Sequence, residues 1–210
     1  QDYGSFELLT EKDRQQIIDL IFGDDGLKPT IGKMFIDSLQ AGMSKPPCVN
    51  PDPMVQQPEI YDHETTTKWM RWFWREGLKR LRRRGEEPAL VATLYGPAPW
   101  MTKQKTLRGR DLDPAQKYEI AKYIIAFARH MIEKEGIPIR FLSLHNEGGI
   151  EEYERRWPAD GGDGPEYLKH DYNAIWPVET VAEFIGFMRG MLDRAGLKQV
   201  ALGNGECTRL

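Results

Sequence analysis

The stretch "LSLHNEGG", residues 142–149, decides how this chain is read. An apolar run, Ile139 to Leu144, stops abruptly at His145-Asn146-Glu147, and two glycines follow. A short apolar run bounded in this way reads as a buried strand. A buried strand that ends on an amide and a carboxylate is setting chemistry at its C-terminal end.

Working outward, the same layout recurs. Tyr3–Leu8, Thr30–Ile36, Leu90–Leu94 and Gln199–Leu202 read as further short strands. Amphipathic segments separate them. Thr10 is placed to cap the first helix, with Asp13 in capping-box spacing, and Gly23 and Gly26 close it. Glu64 to Arg84 forms the second, carrying Trp69, Met70, Phe73, Leu78 and Leu81, and stops at Gly85. Asp113 caps the third, with Pro114 at its first position and Gly136 at its end. Pro177 opens the fourth, and Gly196 ends it. Residues 43–63, and Gly148 to about Trp176, read as long polar loops.

Strands alternating with helices predict a parallel sheet with helices packed outside it. The irregular polar inserts follow the strands, not the helices, as in a (β/α)8 TIM barrel, whose working groups sit at the C-terminal strand ends. A doubly wound open sheet is the rival, and no G-x-G-x-x-G follows the first strand. A whole barrel needs eight strands and about 250 residues. The expectation is therefore the N-terminal part of a catalytic barrel over residues 1–210, its first five βα units, with strands six to eight not in this chain.

Composition bounds the function. Hydrophobic residues make up 40% and charged residues 29% of 210, and the net charge is -3. That balance gives no global field for nucleic acid, and no apolar run is long enough for a bilayer. The basic run "KRLRRRG", residues 79–85, suits a helix C-terminus better than a nucleic-acid patch. Cys48 and Cys207 make neither a disulfide framework nor a metal site, and a single bridge between them is left open. His63, His130 and His170 lack metal-ligand spacing, which disfavours a metal-dependent barrel hydrolase.

Four strand ends carry chemistry: Asp37-Ser38, Tyr95 to Trp100, His145-Asn146-Glu147, and Asn204-Gly205-Glu206. A carboxyl partly desolvated at a barrel mouth has its pKa raised and can donate a proton near neutral pH. Beside it, the Asn146 amide can donate to and accept from a sugar hydroxyl. Trp100 offers a flat apolar face for a sugar ring, or rim packing. Trp157 and Trp176 offer distal subsites or loop anchors, whereas Trp69, Trp72 and Trp74 read as helix packing.

These strand ends resemble clan A glycoside hydrolases, nearest to glycoside hydrolase family 30. The likeness lies in "YGSFELLTEKDRQQIIDLIFGDDGL" (3–27), "IGKMFIDS" (31–38), "ATLYGPAPWMT" (92–102) and "LSLHNEGG" (142–149). It implies a retaining double displacement with two carboxyl groups about 5–5.5 Å apart. Glu147 would be the general acid/base, and Asn146 would hold a hydroxyl beside the reacting carbon. The nucleophilic Glu is expected beyond Leu210. Glu206 is a minor contender for that role, and is more simply a cleft or ion-pair residue. His145, Trp100, Tyr95, Asp37, Lys33 and Trp176 complete the substrate-binding set. No metal and no organic cofactor is required. Lys33 stands where the family has Arg, Tyr95 where it has Trp and Gly148 where it has Pro, which implies a different sugar preference. The expected partners are a carbohydrate and the rest of the same barrel. Nucleic acid and membrane are not expected, and the location is secreted or periplasmic. A non-catalytic carbohydrate-binding or structural barrel is the alternative. Residues 1–210 alone are expected to be inactive and poorly soluble.

Overall fold

A computed structural model describes residues 3–36, 63–94, 98–103, 105, 112–144 and 178–203. Four strands, β1 (Ile31–Ile36), β2 (Ala89–Leu94), β3 (Ile139–Ser143) and β4 (Ala201–Gly203), form one sheet in the order β1-β2-β3-β4. Every neighbouring pair is parallel. The helices are α1 (Glu11–Phe22), α2 (His63–Arg83), α3 (Lys117–Arg129) and α4 (Val178–Arg194). A consecutive, all-parallel order has no switch point, which separates it from a doubly wound sheet. It is the order of the first βα units of a TIM barrel.

Local chemistry sets the helix ends. The Thr10 side chain accepts from the N–H of Asp13 at 3.2 Å and caps α1. Asp113 caps a short 3-10 turn, Pro114–Gln116, that leads into α3. Gly85, Gly136 and Gly196 take positive φ just past their helices, the left-handed stop that glycine adopts without strain. α3 runs on into a π-turn, His130–Lys134.

One of the five expected strands is not a strand among the described residues. Tyr3–Leu8 is a 3-10 helix. That conformation sets residues three apart on one side, and Tyr3 and Phe6 both turn onto α2. Tyr3 meets Phe73, and Phe6 meets Trp69, Trp72 and Phe73. The last strand also begins later than expected, at Ala201, because Val200 still closes a turn back to Leu197.

The sheet has one covered face. Met34, Ile36, Leu90, Ala92, Leu94 and Leu142 are buried in one cluster with Phe22, Trp74, Leu78, Ile124, Phe127 and Met188. Gly32 belongs to this face, where the Trp74 ring lies so close that a Cβ would meet it at 1.9 Å. The opposite face carries Ile31, Lys33, Val91, Phe141 and Ser143. There Ile31 is 69% and Phe141 42% exposed. β3 reaches that phase through a register shift. Leu90 pairs with Ile139 but Val91 pairs with Phe141, so Arg140 is an extra residue.

Candidate functional site at the C-terminal strand edge

Parallel pairing brings the C-terminal ends of the strands to one edge, with Ile36 opposite Leu94 and Ser143 between Thr93 and Gly203. Asp37 and Tyr95 follow β1 and β2 directly in sequence. His145, Asn146 and Glu147 follow Leu144, and Glu206 comes shortly after β4. These six residues, with Trp157, Trp176, Cys48 and Cys207, lie outside the described residues. Lys33 and Trp100 are described.

Lys33 is half-buried on the open face of β1, its Nζ 5.2 Å from the centre of the Phe35 ring. A cation over an aromatic face is attracted by the ring quadrupole. The residue lines a recess of about 450 Å³ together with Ile31, Val91, Phe141, Ser143 and Gly203. The recess is the barrel-interior side of the sheet, and among the described residues Lys33 is the one cation lining it.

Trp100 sits in a 3-10 turn, Pro99–Met101, with Pro99 at its first position. The indole is 5% exposed and packs in the core cluster. Its N–H has no acceptor among the described residues. The Met101 N–H donates to the Ala98 carbonyl at 2.9 Å, and the Thr102 hydroxyl donates to the Pro99 carbonyl at 3.3 Å.

Two residues escaped the sequence reading. Thr93 and Ser143 are register partners that bring buried hydroxyls to the C-terminal edge of the open face. Both sit inside apolar runs and look like strand filler. Only strand phase reveals them, and the shift at Arg140 hides it.

Several charges elsewhere are paired within the fold. A larger groove, about 1080 Å³, lies between α1 and α2. It lies toward the N-terminal ends of β1 and β2, away from the C-terminal edge, and two of its arginines are paired with carboxylates. Arg80 pairs with Asp19 and Glu76, and Arg84 with Asp24 and Glu86. A deeper cluster joins α2 to the end of α3. Glu135 accepts from Arg71 at 2.5 Å and Arg75 at 2.8 Å, with His130 Nε2 at 3.4 Å. Burial alone would raise the Glu135 carboxyl. The Arg71 hydrogen bond and the charges of Arg71, Arg75 and His130 outweigh it and hold the group below its ordinary range. Among the described residues no helix is long and apolar enough to cross a membrane.

The edge, the one-sided helix layer and the parallel order define the opening βα units of a TIM barrel. Known structures share that fold. SrfJ from Salmonella typhimurium superposes with a TM-score of 0.63 at 16% identity, covering 94% of this chain and 40% of SrfJ. The catalytic domain of GH30 xylanase C from Talaromyces cellulolyticus gives 0.56 at 16%, covering 92% of this chain and 41% of the xylanase. A conserved exported protein from Bacteroides fragilis gives 0.63 at 13%, covering 92% and 39%. The resemblance to glycoside hydrolases near family 30 thus extends to the fold. The chain spans about 40% of the length of these structures. No protein-family model matches the chain, and no curated protein does.

Proposed function

We propose that this chain is the N-terminal part, strands one onward, of a retaining glycoside hydrolase acting on oligo- or polysaccharide. A fold matched to a family 30 xylanase carries the proposal, together with the place of Asn146-Glu147 in this sequence, with two residues between the pair and the end of β3 at Ser143. Glu147 protonates the leaving glycosidic oxygen, then deprotonates the incoming water. Asn146 hydrogen-bonds the hydroxyl beside the reacting carbon. His145, Tyr95, Asp37, Glu206 and Trp176 line the cleft and Lys33 charges its floor, while Trp100, expected as a sugar platform or as packing, takes the packing role.

The nucleophilic Glu comes from a strand beyond Leu210, and hydrolysis waits on those strands. The open face supports this. Ile31 and Phe141 are apolar side chains suited to burial against further strands of the same barrel. Export is proposed from the Bacteroides neighbour, which is described as an exported protein.

The test uses a protein in which residues 1–210 are followed by the strands that close the barrel. Aryl xylosides and xylo-oligosaccharides are the first substrates. Glu147→Gln should lower kcat by about 10²–10⁴ on substrates with poor leaving groups. The loss should be smaller on those with activated leaving groups, which need no proton. Unchanged turnover removes Glu147 from the mechanism. Sugar binding with no turnover in the unsubstituted protein favours the non-catalytic carbohydrate-binding barrel.

A further inference from the structure

Three of the four helices connect two strands, and the fourth does not. α2 joins β1 to β2, α3 joins β2 to β3, and α4 joins β3 to β4. In a parallel sheet such a crossover helix packs over the strands it joins, with one hand. α1 comes before β1, yet it sits in the same layer. Asp19 pairs with Arg80 at 2.7 Å, the Phe22 ring lies 5.2 Å from that of Phe73, and the Phe22 carbonyl accepts from Arg84 at 2.8 Å. The end of α3 meets different residues of α2: Arg71 and Arg75 hold Glu135, and Arg82 donates to the Gly136 carbonyl. At 3.6 residues per turn, Phe73, Arg80 and Arg84 lie about half a turn from Arg71, Arg75 and Arg82. α1 and α3 therefore flank α2 on opposite sides, and α1 overhangs the outer edge of β1.

That edge has a stand-in acceptor. The Ala89 N–H donates to the Thr30 carbonyl at 2.8 Å. Backbone groups turn to alternate sides along a strand, so Thr30, Gly32, Met34 and Ile36 address β2, while Ile31, Lys33 and Phe35 address the outer edge. There the Phe35 N–H donates to Met70 Sδ at 3.3 Å. A thioether is a weak acceptor, standing where a sheet interior has a carbonyl. A strand edge of this kind templates pairing with another strand. Chain direction fixes how that strand would run. α1 ends at Phe22 and the chain then enters the start of β1, so α1 runs against the strands and begins beside their C-terminal ends. The Tyr3–Leu8 turn, packed on Trp69 and Trp72 of α2, feeds α1 from that same end. A strand that delivers the chain to Tyr3 is parallel to β1.

We propose that the outer edge of β1 takes one more parallel strand, formed by the polypeptide that leads into Tyr3, and that Met70 keeps its place. A carbonyl of the incoming strand replaces Met70 Sδ at the Phe35 N–H, and its side chains shield the exposed Ile31. α1 then connects two strands, as the other three helices do, and β1 becomes the second strand of the barrel. A strand from beyond Leu210 fits this edge less well, because α1 would cover the junction without connecting its two strands. A second copy of the chain, related by a two-fold axis, would pair antiparallel.

The experiment uses the protein of the Glu147 assay in two lengths, one starting at Gln1 and one starting with the residues encoded ahead of it. Amide exchange is read by ¹⁵N NMR at Ile31 and Phe35, with Gly32 and Met34, which address β2, as references. In the longer protein Ile31 and Phe35 should exchange at least about a hundredfold more slowly than in the shorter one, while Gly32 and Met34 agree within about threefold. Met70→Leu should speed Phe35 exchange about three- to tenfold in the shorter protein and leave it unchanged in the longer one. Slow exchange in both lengths overturns the proposal, because strands from beyond Leu210 then own the edge. Fast exchange in both overturns it too, and so does protection that rises with protein concentration, which is pairing between copies. Too few encoded residues ahead of Gln1 to span β1 also overturns it. Where the shorter protein does not fold, single prolines through the six residues ahead of Tyr3, the length of β1, decide the matter. At least one should release Ile31 or Phe35 about tenfold with Gly32 and Met34 still protected, and release by none overturns the strand. Turnover plays no part in these readouts, so failure of the glycoside hydrolase reading is seen separately.

Discussion

One face of the four-stranded sheet is sealed beneath helices, while the other lies open, and the two are equally apolar in places. Ile36 and Leu142, on the covered face, are fully buried, whereas Ile31 and Phe141 on the opposite face are 69% and 42% exposed. Residue type does not separate them, so what differs is the presence of a packing layer. An apolar side chain left in water forgoes most of its transfer free energy, about 25 cal/mol per Å². The open face is thus built for a cover, and its recess holds Lys33 among those apolar groups.

The contrast can be broken most forcefully on the covered face. Phe22 is fully buried against Phe73, Trp74 and the close approach at Gly77. Phe22→Ala should cost about 3–5 kcal/mol in urea unfolding of residues 1–210. A loss below about 1 kcal/mol would mean that the helix layer is not what holds the sheet.

The next effect in size sits between α2 and α3. Arg71 and Glu135 are 8% and 7% exposed at the side chain. Arg71→Met leaves a buried carboxylate with weaker compensation and should cost roughly 3 kcal/mol. The sign of the pH effect follows from the depressed Glu135 carboxyl. Its folded form binds fewer protons than the unfolded chain does, so the contribution is complete above about pH 5. It drains away as pH falls through the ordinary carboxylate range, near 4.3, toward the lower folded value. Urea midpoints measured from pH 7 to pH 3 should show that slope, and Glu135→Gln should flatten it. An unchanged slope would show that the carboxyl is not depressed.

Smallest of all are changes on the open face. Ile31→Ser and Phe141→Ser should alter the stability of residues 1–210 by no more than about 0.5 kcal/mol. Both should reduce self-association in sedimentation velocity. In a closed barrel the same substitutions should each cost about 2–4 kcal/mol. Large costs in both settings would show the face to be covered already.

Much of this arrangement could be read in advance. The Thr10 cap, the glycine stops at 85, 136 and 196, and the parallel order all come from local chemistry and period, which a linear pattern records. Tyr3–Leu8 misled because its aromatic residues suit a strand, while the decisive contacts lie on α2, some seventy residues away. The Arg71–Glu135 pair spans 64 residues and leaves no local trace. In "KRLRRRG" the cations were legible as helix-end residues. Their carboxylate partners on α1, Asp19 and Asp24 beside it, were not. Of the proposed site, strand ends were legible because each apolar run stops at a polar one. Trp100 was visible as an aromatic after prolines, but its burial and unpaired N–H depend on a fold that no spacing reports.

The surplus residue in β3 has a further consequence. Arg140 is side-stepped by the ladder, so Phe141 and Ser143 arrive on the open face and Leu142 beneath the helices. Its own side chain is exposed and replaceable. Removing that one codon would rotate the strand by half a turn, sending Ser143 into the helix layer and mis-aiming everything translated after it. Natural variation at this spot should therefore be free in letter and fixed in number.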